Sequence, residues 1–223
     1  MNGEILAIGT ELLMGEIVDT NSAFIAQRAP AFGIEIRHVT LVGDNLDDMV
    51  DSVNRGMRRS NILFITGGLG PTDDDLTREA IAKSLGEELR LDPEILKQIR
   101  TYIEGRGGVM PPSNAKQASI TSSVTILPNS RGTAPGWWAE KDGCVVVAMP
   151  GVPGEMKAMV ERYIIPNYIK TSPKENFITI KTAGIMESKL AERVSELMEK
   201  YSKSFRFAFL PHFNGVSFRI RKI

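Results

Sequence analysis

The stretch Ile62-Leu-Phe-Ile-Thr66-Gly-Gly-Leu-Gly-Pro-Thr-Asp-Asp-Asp75 constrains the fold more than any other part of the chain. An apolar run ends in Gly67, Gly68 and Gly70, then in three consecutive acids. A helical pattern follows at once through Leu76, Ala80, Ile81 and Leu85. Strand, glycine loop and helix start form a geometry that turns backbone N–H groups toward an anion. The loop lacks the terminal Lys-Ser/Thr of a Walker loop, and Asp73 stands where the dinucleotide fingerprint needs a glycine. A phosphate-sized cradle remains, with acids and no basic side chain. Carboxylates repel a phosphate unless a cation lies between them, which points to a divalent metal such as Mg²⁺.

The rest of the chain repeats the alternation. Glu4–Ile8 reads as a first strand and Ile34–Val42 as a second, each followed by a helical pattern: one from Asn21 or Ser22 to Gly33, one from Leu46 through Met49, Val53 and Met57. Asn61–Ile65 is the third strand. Asp92-Pro-Glu opens a helix running to Gly105, and a short helix covers Asn114–Ala118. Val124–Leu127 is a strand. Trp137–Glu140 and Cys144–Met149 read as a hairpin around Lys141-Asp-Gly143, before a helix bearing Met156, Met159, Val160 and Tyr163. Such alternation predicts an α/β fold, a mostly parallel sheet between helical layers. The polar segment Lys170–Lys174 divides it (1–170) from a small α+β lobe (171–223), which has a strand at Phe177–Thr182, a helix at Ser188–Met198 and strands at Phe205–Leu210 and Val216–Ile220.

Four loops each leave a strand and lead toward a helix: Gly9-Thr10-Glu11 continuing to Asp19-Thr-Asn21, Gly43-Asp44, Thr66 to Asp75, and Pro150-Gly151 to Glu155. In a parallel sheet they converge on one edge, where ligands of open α/β sheets bind. Glycines, prolines and acids concentrate there; the opposite loops Ala31–Gly33 and Gly86–Glu88 show no such set. Plainer roles compete. The acids at 73–75 can complement a helix dipole, although one cap needs only one aspartate. Taken alone, Asp44 reads as the cap of the helix at Leu46. Gly132–Gly136 reads equally as a turn, and Lys116 as a solvated lysine or a phosphate contact.

Composition narrows the classes. Lys plus Arg and Asp plus Glu both number 27, which argues against a broad nucleic-acid surface. Cys144, the single cysteine, excludes an internal disulfide and sits in a buried-strand pattern. The histidines, His38 and His212, form no metal-spaced cluster, and no Gly-x-Ser-x-Gly elbow occurs. No leader and no long apolar run appear, so a cytoplasmic protein without a membrane partner is expected.

Thr66-Gly-Gly-Leu-Gly-Pro-Thr-Asp-Asp-Asp-Leu-Thr-Arg-Glu-Ala80 resembles the signature of the molybdopterin-binding, MoaB/Mog-like domain. Together with Ala7–Glu16, Asp19-Thr-Asn21, Gly43-Asp44, Lys116-Gln-Ala118, Gly132–Gly136 and Pro150–Met156, it resembles the N-terminal region of the CinA competence/damage-inducible family. The match runs from residue 5 to residue 165 and continues more weakly through Glu187–Leu190 and Phe209–Pro211. The resemblance implies a three-layer α/β/α domain and a KH-like lobe. It also implies divalent-metal-dependent hydrolysis of ADP-ribose, or a related nucleotide diphosphate, to AMP and ribose 5-phosphate. In that reading Asp44 and Asp75 are the catalytic pair. A metal (Mg, Mn or Co) sits on Asp44 and Asp75, with Asp73 the alternative to Asp75. Thr66, Gly67, Gly68, Leu69, Gly70, Pro71 and Thr72 form the phosphate loop, and Thr10, Glu11, Asp19, Asn21, Lys116, Pro150, Gly151 and Glu155 line the pocket. The alternative is a molybdopterin- or nucleotide-binding protein without turnover. The architecture implies a homo-oligomer. Longer relatives add a nicotinamide-nucleotide amidase domain for which residues up to Ile223 leave no room. Gly184-Ile-Met-Glu187 lacks the paired glycines of an RNA-gripping loop, so no nucleic-acid partner is expected.

Overall fold

The computed structural model describes residues 1–168 and 177–222, with the side chains of residues 167 and 168 left aside. The chain forms two compact units, Met1–Ser172 and Pro173–Ile223. The linker expected at Lys170–Lys174 lies outside the described residues.

In the first unit β1 (Asn2–Ile8), β2 (Glu35–Val42), β3 (Ile62–Thr66), β6 (Thr125–Leu127), β7 (Gly136–Lys141) and β8 (Cys144–Met149) form one sheet in the order β2-β1-β3-β8-β7-β6. The first four in that order are mutually parallel, and β7 runs antiparallel to both its neighbours. Every residue of β3 is buried, as a strand covered on both faces requires. Period-two alternation splits the core. Leu6, Leu63, Ile65 and Val146 pack toward Met49 and Val53 of α3 (Leu46–Arg59) and Ala80 and Ile81 of α4 (Thr77–Leu85). Ile5, Ile62, Phe64 and Val147 pack toward Ile25 of α2 (Thr20–Arg28) and Met156 and Met159 of α6 (Pro153–Met159). Each fully buried Val, Leu, Ile, Phe or Met among them contributes roughly 1.5–3 kcal/mol. This is the expected three-layer α/β/α arrangement.

Several local features differ from the sequence expectations. A four-residue helix, α1 (Thr10–Leu13), follows Gly9. Arg90–Leu91 (β4) and Ser119–Ile120 (β5) make a separate two-stranded ladder, flanking α5 (Pro93–Glu104) and a 3₁₀ turn at Pro112–Ala118. The helix expected after Pro153 widens into a π-helical turn at Val160–Ile164 before α7 (Ile165–Tyr168). These elements lack strong periodicity, so tertiary packing decides them.

The second unit is an antiparallel sheet, β10 (Phe205–His212), β11 (Gly215–Lys222) and β9 (Phe177–Ala183), with β11 central. Helix α8 (Glu187–Tyr201) packs Leu190 against Val216 and Phe218. Phe207 and Phe209 stack on Phe218 at 5.9 and 5.0 Å between ring centroids. Among the described residues no helix is long and apolar enough to cross a membrane.

Candidate functional site

The carboxyl ends of β1, β2, β3 and β8 bring the four loops together around a pocket of about 420 Å³. Its lining includes Glu11, Asp44, Gly67, Gly68, Leu69, Gly70, Pro71, Asp75, Pro150, Gly151 and Glu155 from the expected set. Asp74, Gln117, Thr133 and Ala134 join them. Asp19, Asn21 and Thr66 line an adjoining cavity of about 90 Å³, which shares Ile8, Glu11 and Gly151 with the pocket. Thr10, Thr72, Asp73 and Lys116 line neither.

The glycine loop owes its shape to what happens to its carbonyls. Thr77 donates its hydroxyl to Gly67 O (2.8 Å) and its amide to Gly68 O (3.1 Å). Arg78 donates from its two terminal nitrogens to Leu69 O and Gly70 O, both at 2.7 Å. Four successive carbonyls are thus held by the first two residues of α4. Gly67 and Gly68 have φ of 106° and 64°, backbone that glycine alone adopts without strain. A Cβ on Gly67 would lie 2.2 Å from Ile8 O. Of the loop amides, Gly67 N–H goes to Met149 O and Gly70 N–H to Asp75 Oδ1 (2.7 Å). The Gly68 and Leu69 amides have no partner among the described residues. The expectation that the whole Gly67–Gly70 run holds a phosphate therefore narrows to these two groups.

The two central acids use one device. Asp44 Oδ2 accepts from the Thr10 amide (2.9 Å) and hydroxyl (2.7 Å). Asp75 Oδ2 accepts from the Thr72 amide (2.9 Å) and hydroxyl (2.5 Å). Asp44 is not the cap of α3: Asn45 takes that place, accepting from the Asp47 and Asp48 amides. Nor do the acids at 73–75 cap α4, whose N-cap is Leu76 without a side-chain bond. Asp75 instead closes the acid loop on itself, while Asp73 and Asp74 are exposed. The Thr72 hydroxyl, the backbone and the Lys116 charge hold the Asp74 carboxyl below its usual range against a small desolvation effect.

Lys116 sits beneath the loop, donating to Thr72 O (3.0 Å) and pairing with Glu79 (3.5 Å). Glu155 accepts from Asn129 Nδ2 at 2.6 Å, and Asn129 also binds Ala134 O and the amides of Arg131 and Gly132. That clamp sets the Thr133–Ala134 wall, so Gly132–Gly136 is more than a hairpin approach. Five carboxylates line the pocket and no Lys or Arg does. Among the described residues no group of three or more His, Cys, Asp or Glu is placed to hold a metal ion.

Sequence reasoning missed Arg78, the buried organiser of the loop. Burial pushes its guanidinium below the usual value, with the Glu79 and Asp75 charges opposing. Arginine in a helix reads as a solvated charge; its position immediately after a glycine-acid loop was the available signal. A larger cavity of about 600 Å³ lies at Gly86–Pro93 and Ile120–Ser122, remote in the fold from the glycine loop. Its Glu87 is already engaged by the Ser122 hydroxyl and Ser123 amide.

Residues 4–170 match the family model described as "Probable molybdopterin binding domain", and residues 178–222 that of the "Damage-inducible protein CinA KH domain". A CinA-like protein of Thermomicrobium roseum is 43% identical over 222 residues, covering 99% of this chain and 54% of the relative. One from Deinococcus radiodurans is 41% identical over 221 residues, covering 97% and 54%. The chain spans about half the length of the curated relatives it matches. Among solved structures, CinA of Thermoplasma acidophilum, titled as of unknown function, superposes with TM-score 0.70 at 34% identity, covering 75% of this chain and 98% of that one. A molybdopterin biosynthesis protein of Mycobacterium abscessus shares the fold, with TM-score 0.51 at 18% identity, covering 76% and 92%. These matches overturn the expected ADP-ribose pyrophosphohydrolase: what matches is a molybdopterin-binding domain, and the binding-protein alternative fits it better. The chain is a member of the CinA family, built from a MoaB/Mog-like molybdopterin-binding domain and a CinA-type KH domain.

Proposed function

We propose that the first unit binds a phosphorylated pterin or nucleotide, of the molybdopterin type, without turning it over. The observation that carries this reading is the pair of unpartnered amides at Gly68 and Leu69. Their loop has every carbonyl from Gly67 to Gly70 drawn away by Thr77 and Arg78, which leaves the N–H groups for an anion. The adjoining pocket of about 420 Å³ is within the size range of small-molecule sites.

The acidic lining requires a cation with the phosphate. The described residues fit a divalent ion only as one shared with the ligand's own oxygens, the usual habit of Mg²⁺. Asp44 would hold it through Oδ1, the oxygen Thr10 leaves free. Exposed Asp73 lines neither cavity and is a poor ligand for it. When bound, the ion would neutralise charge between carboxylate and phosphate. Self-association of the whole protein, common for this architecture, belongs to the same proposal.

Titration calorimetry of the full chain with molybdopterin and with AMP, each with and without Mg²⁺, tests the reading. Saturable binding that Mg²⁺ tightens is expected. In an amide-correlation NMR titration, the Gly68 and Leu69 signals should move first. Absence of heat with both ligands would sink the proposal.

A further inference from the structure

We propose that the second unit carries a phosphate-binding hollow on its open sheet face, and that its occupant is the headgroup of an anionic phospholipid. This hollow lies in a different unit from the glycine-loop site and is independent of it. In β11 the alternate residues Val216, Phe218 and Ile220 turn toward α8. Ser217, Arg219 and Arg221 therefore belong to the opposite face. Cross-strand pairing sets Ser217 between Leu210 of β10 and Lys181 of β9, and Gly215 between His212 and Ala183. Small residues make the floor and longer ones the rim. A hollow of about 460 Å³ opens there, lined by Lys181, Thr182, Ala183, His212, Asn214 and Ser217.

The lining is rich in donors. Lys181 brings an ammonium, Asn214 an amide, His212 a ring N–H and Ser217 a hydroxyl. Ser217 is 8% exposed, and its hydroxyl has no partner among the described residues. The Thr182 hydroxyl, by contrast, is spent on Val216 O. Strands β9, β10 and β11 hold Lys181, Arg206, Arg219, Arg221 and Lys222, and no Asp or Glu. The acids of this unit among the described residues, Glu187, Glu192, Glu196 and Glu199, all belong to α8 on the other face. Donors around a hollow without a carboxylate select an anion. The rim indicates what carries that anion. Phe213, in the turn of the β10–β11 hairpin between two lining residues, is fully exposed. Strand β9 runs antiparallel to β11, so its connection to α8 leaves at the same end, and there Met186 is 71% exposed. Apolar side chains on two separate loops beside a cationic hollow match shallow entry into a bilayer. The apolar tips pass the headgroups while the cation stays with the phosphate. A soluble phosphate would leave both tips in water. Such a seat on the surface needs no crossing helix.

Vesicle co-sedimentation of the full chain tests this, with phosphatidylcholine alone against a mixture containing phosphatidylglycerol. Binding to the anionic vesicles, weakened by salt, is expected. Phe213→Ser should weaken it about tenfold and Lys181→Gln about fivefold. Ser217→Ala changes no charge and should still weaken it about fivefold, with circular dichroism checking the fold. Lys203→Gln removes the same charge between α8 and the start of β10, at the far end of the sheet, and should change binding less than about twofold. Equal losses in Lys181→Gln and Lys203→Gln, or no loss in Ser217→Ala, would overturn the hollow. A titration with inorganic phosphate followed by amide NMR separates the sources. Shifts at Asn214 and Ser217 without vesicle binding would keep the phosphate site and overturn the lipid. Tighter binding of a single-stranded oligonucleotide than of vesicles would also overturn the lipid. Neither shifts nor vesicle binding would overturn both parts.

Discussion

The two ends of the central sheet are built from the same strands and behave oppositely. At the amino-terminal end charges are closed on the protein. Buried Glu4 receives Arg59 through two bonds, at 2.7 and 2.6 Å, and the Thr40 hydroxyl at 3.1 Å. Lys141 donates to Ser84 O and Leu85 O at the end of α4. At the carboxyl-terminal end polar atoms are left over: two loop amides, Asn21 Oδ1, one oxygen of Asp44 and one of Asp19. Asn21 Oδ1, buried without a partner, costs the fold free energy, and the oxygens of Asp44 and Asp19 are acceptors left open to solvent. The difference is what the proposed ligand site rests on.

Gly67→Ala attacks the open end hardest. The new Cβ meets Ile8 O at 2.2 Å, and the backbone at φ 106° disfavours any side chain. Clash and strain together should cost about 4 kcal/mol in urea unfolding and abolish ligand binding. Wild-type stability would mean that the loop is looser than its hydrogen bonds imply. The closed end should show a different pattern. Arg59→Met leaves the buried Glu4 charge with the Thr40 hydroxyl and no countercharge, and should cost about 3 kcal/mol. Glu4→Gln should cost only about 1 kcal/mol, because Arg59, whose side chain is 35% exposed, can turn to water. Ligand affinity should be unchanged in both. Equal losses in the two variants would contradict the asymmetry of burial.

Much of this was legible in the sequence because it rests on repeating patterns. Alternating strands and helices placed four loops on one edge, and their glycines and acids do line the pocket there. What was not legible is the direction of each polar side chain. Asp75 lines the pocket as the sequence suggests, and it also binds the Gly70 and Thr72 amides of its own loop, which the sequence did not show. Lys116 looks like a phosphate contact, yet it supports Thr72 O. Arg78 looks like a surface charge, yet it is 1% exposed. Neighbouring positions at a helix start differ in direction by about 100°, and only the packed neighbours decide which faces the ligand. The matches across residues 4–170 supplied the binding reading that these directions then made specific.

A smaller effect separates the ends by pH. Burial pushes the Glu4 carboxyl up, but the Arg59 bonds and charge, with the Thr40 hydroxyl, outweigh it and hold it below its usual 4.5. A carboxyl lowered in the folded state stabilises it fully above its unfolded value and loses that contribution as pH falls through the folded one. The wild type should therefore lose stability faster than Glu4→Gln below pH 4.5. Parallel curves in acid urea titrations would show that the pair is not formed in solution.

The smallest effect tests whether the two ends communicate through α4. Lys141 caps the last carbonyls of that helix, while Thr77 and Arg78 at its first turn hold the glycine loop. Lys141→Met removes a cation from the negative end of the helix dipole and two hydrogen bonds. The amino group is partly solvated in this position, so the loss should be about 1 kcal/mol. A nine-residue helix packed through Ala80, Ile81 and Leu85 is anchored along its length by apolar contacts that the substitution leaves in place. Fraying at its last turn should therefore stop before the first, and calorimetric affinity for the phosphorylated ligand should stay within about twofold of wild type. A drop in affinity matching the drop in stability would instead mean that α4 moves as one rod, and the closed end would then be part of the binding site's own machinery.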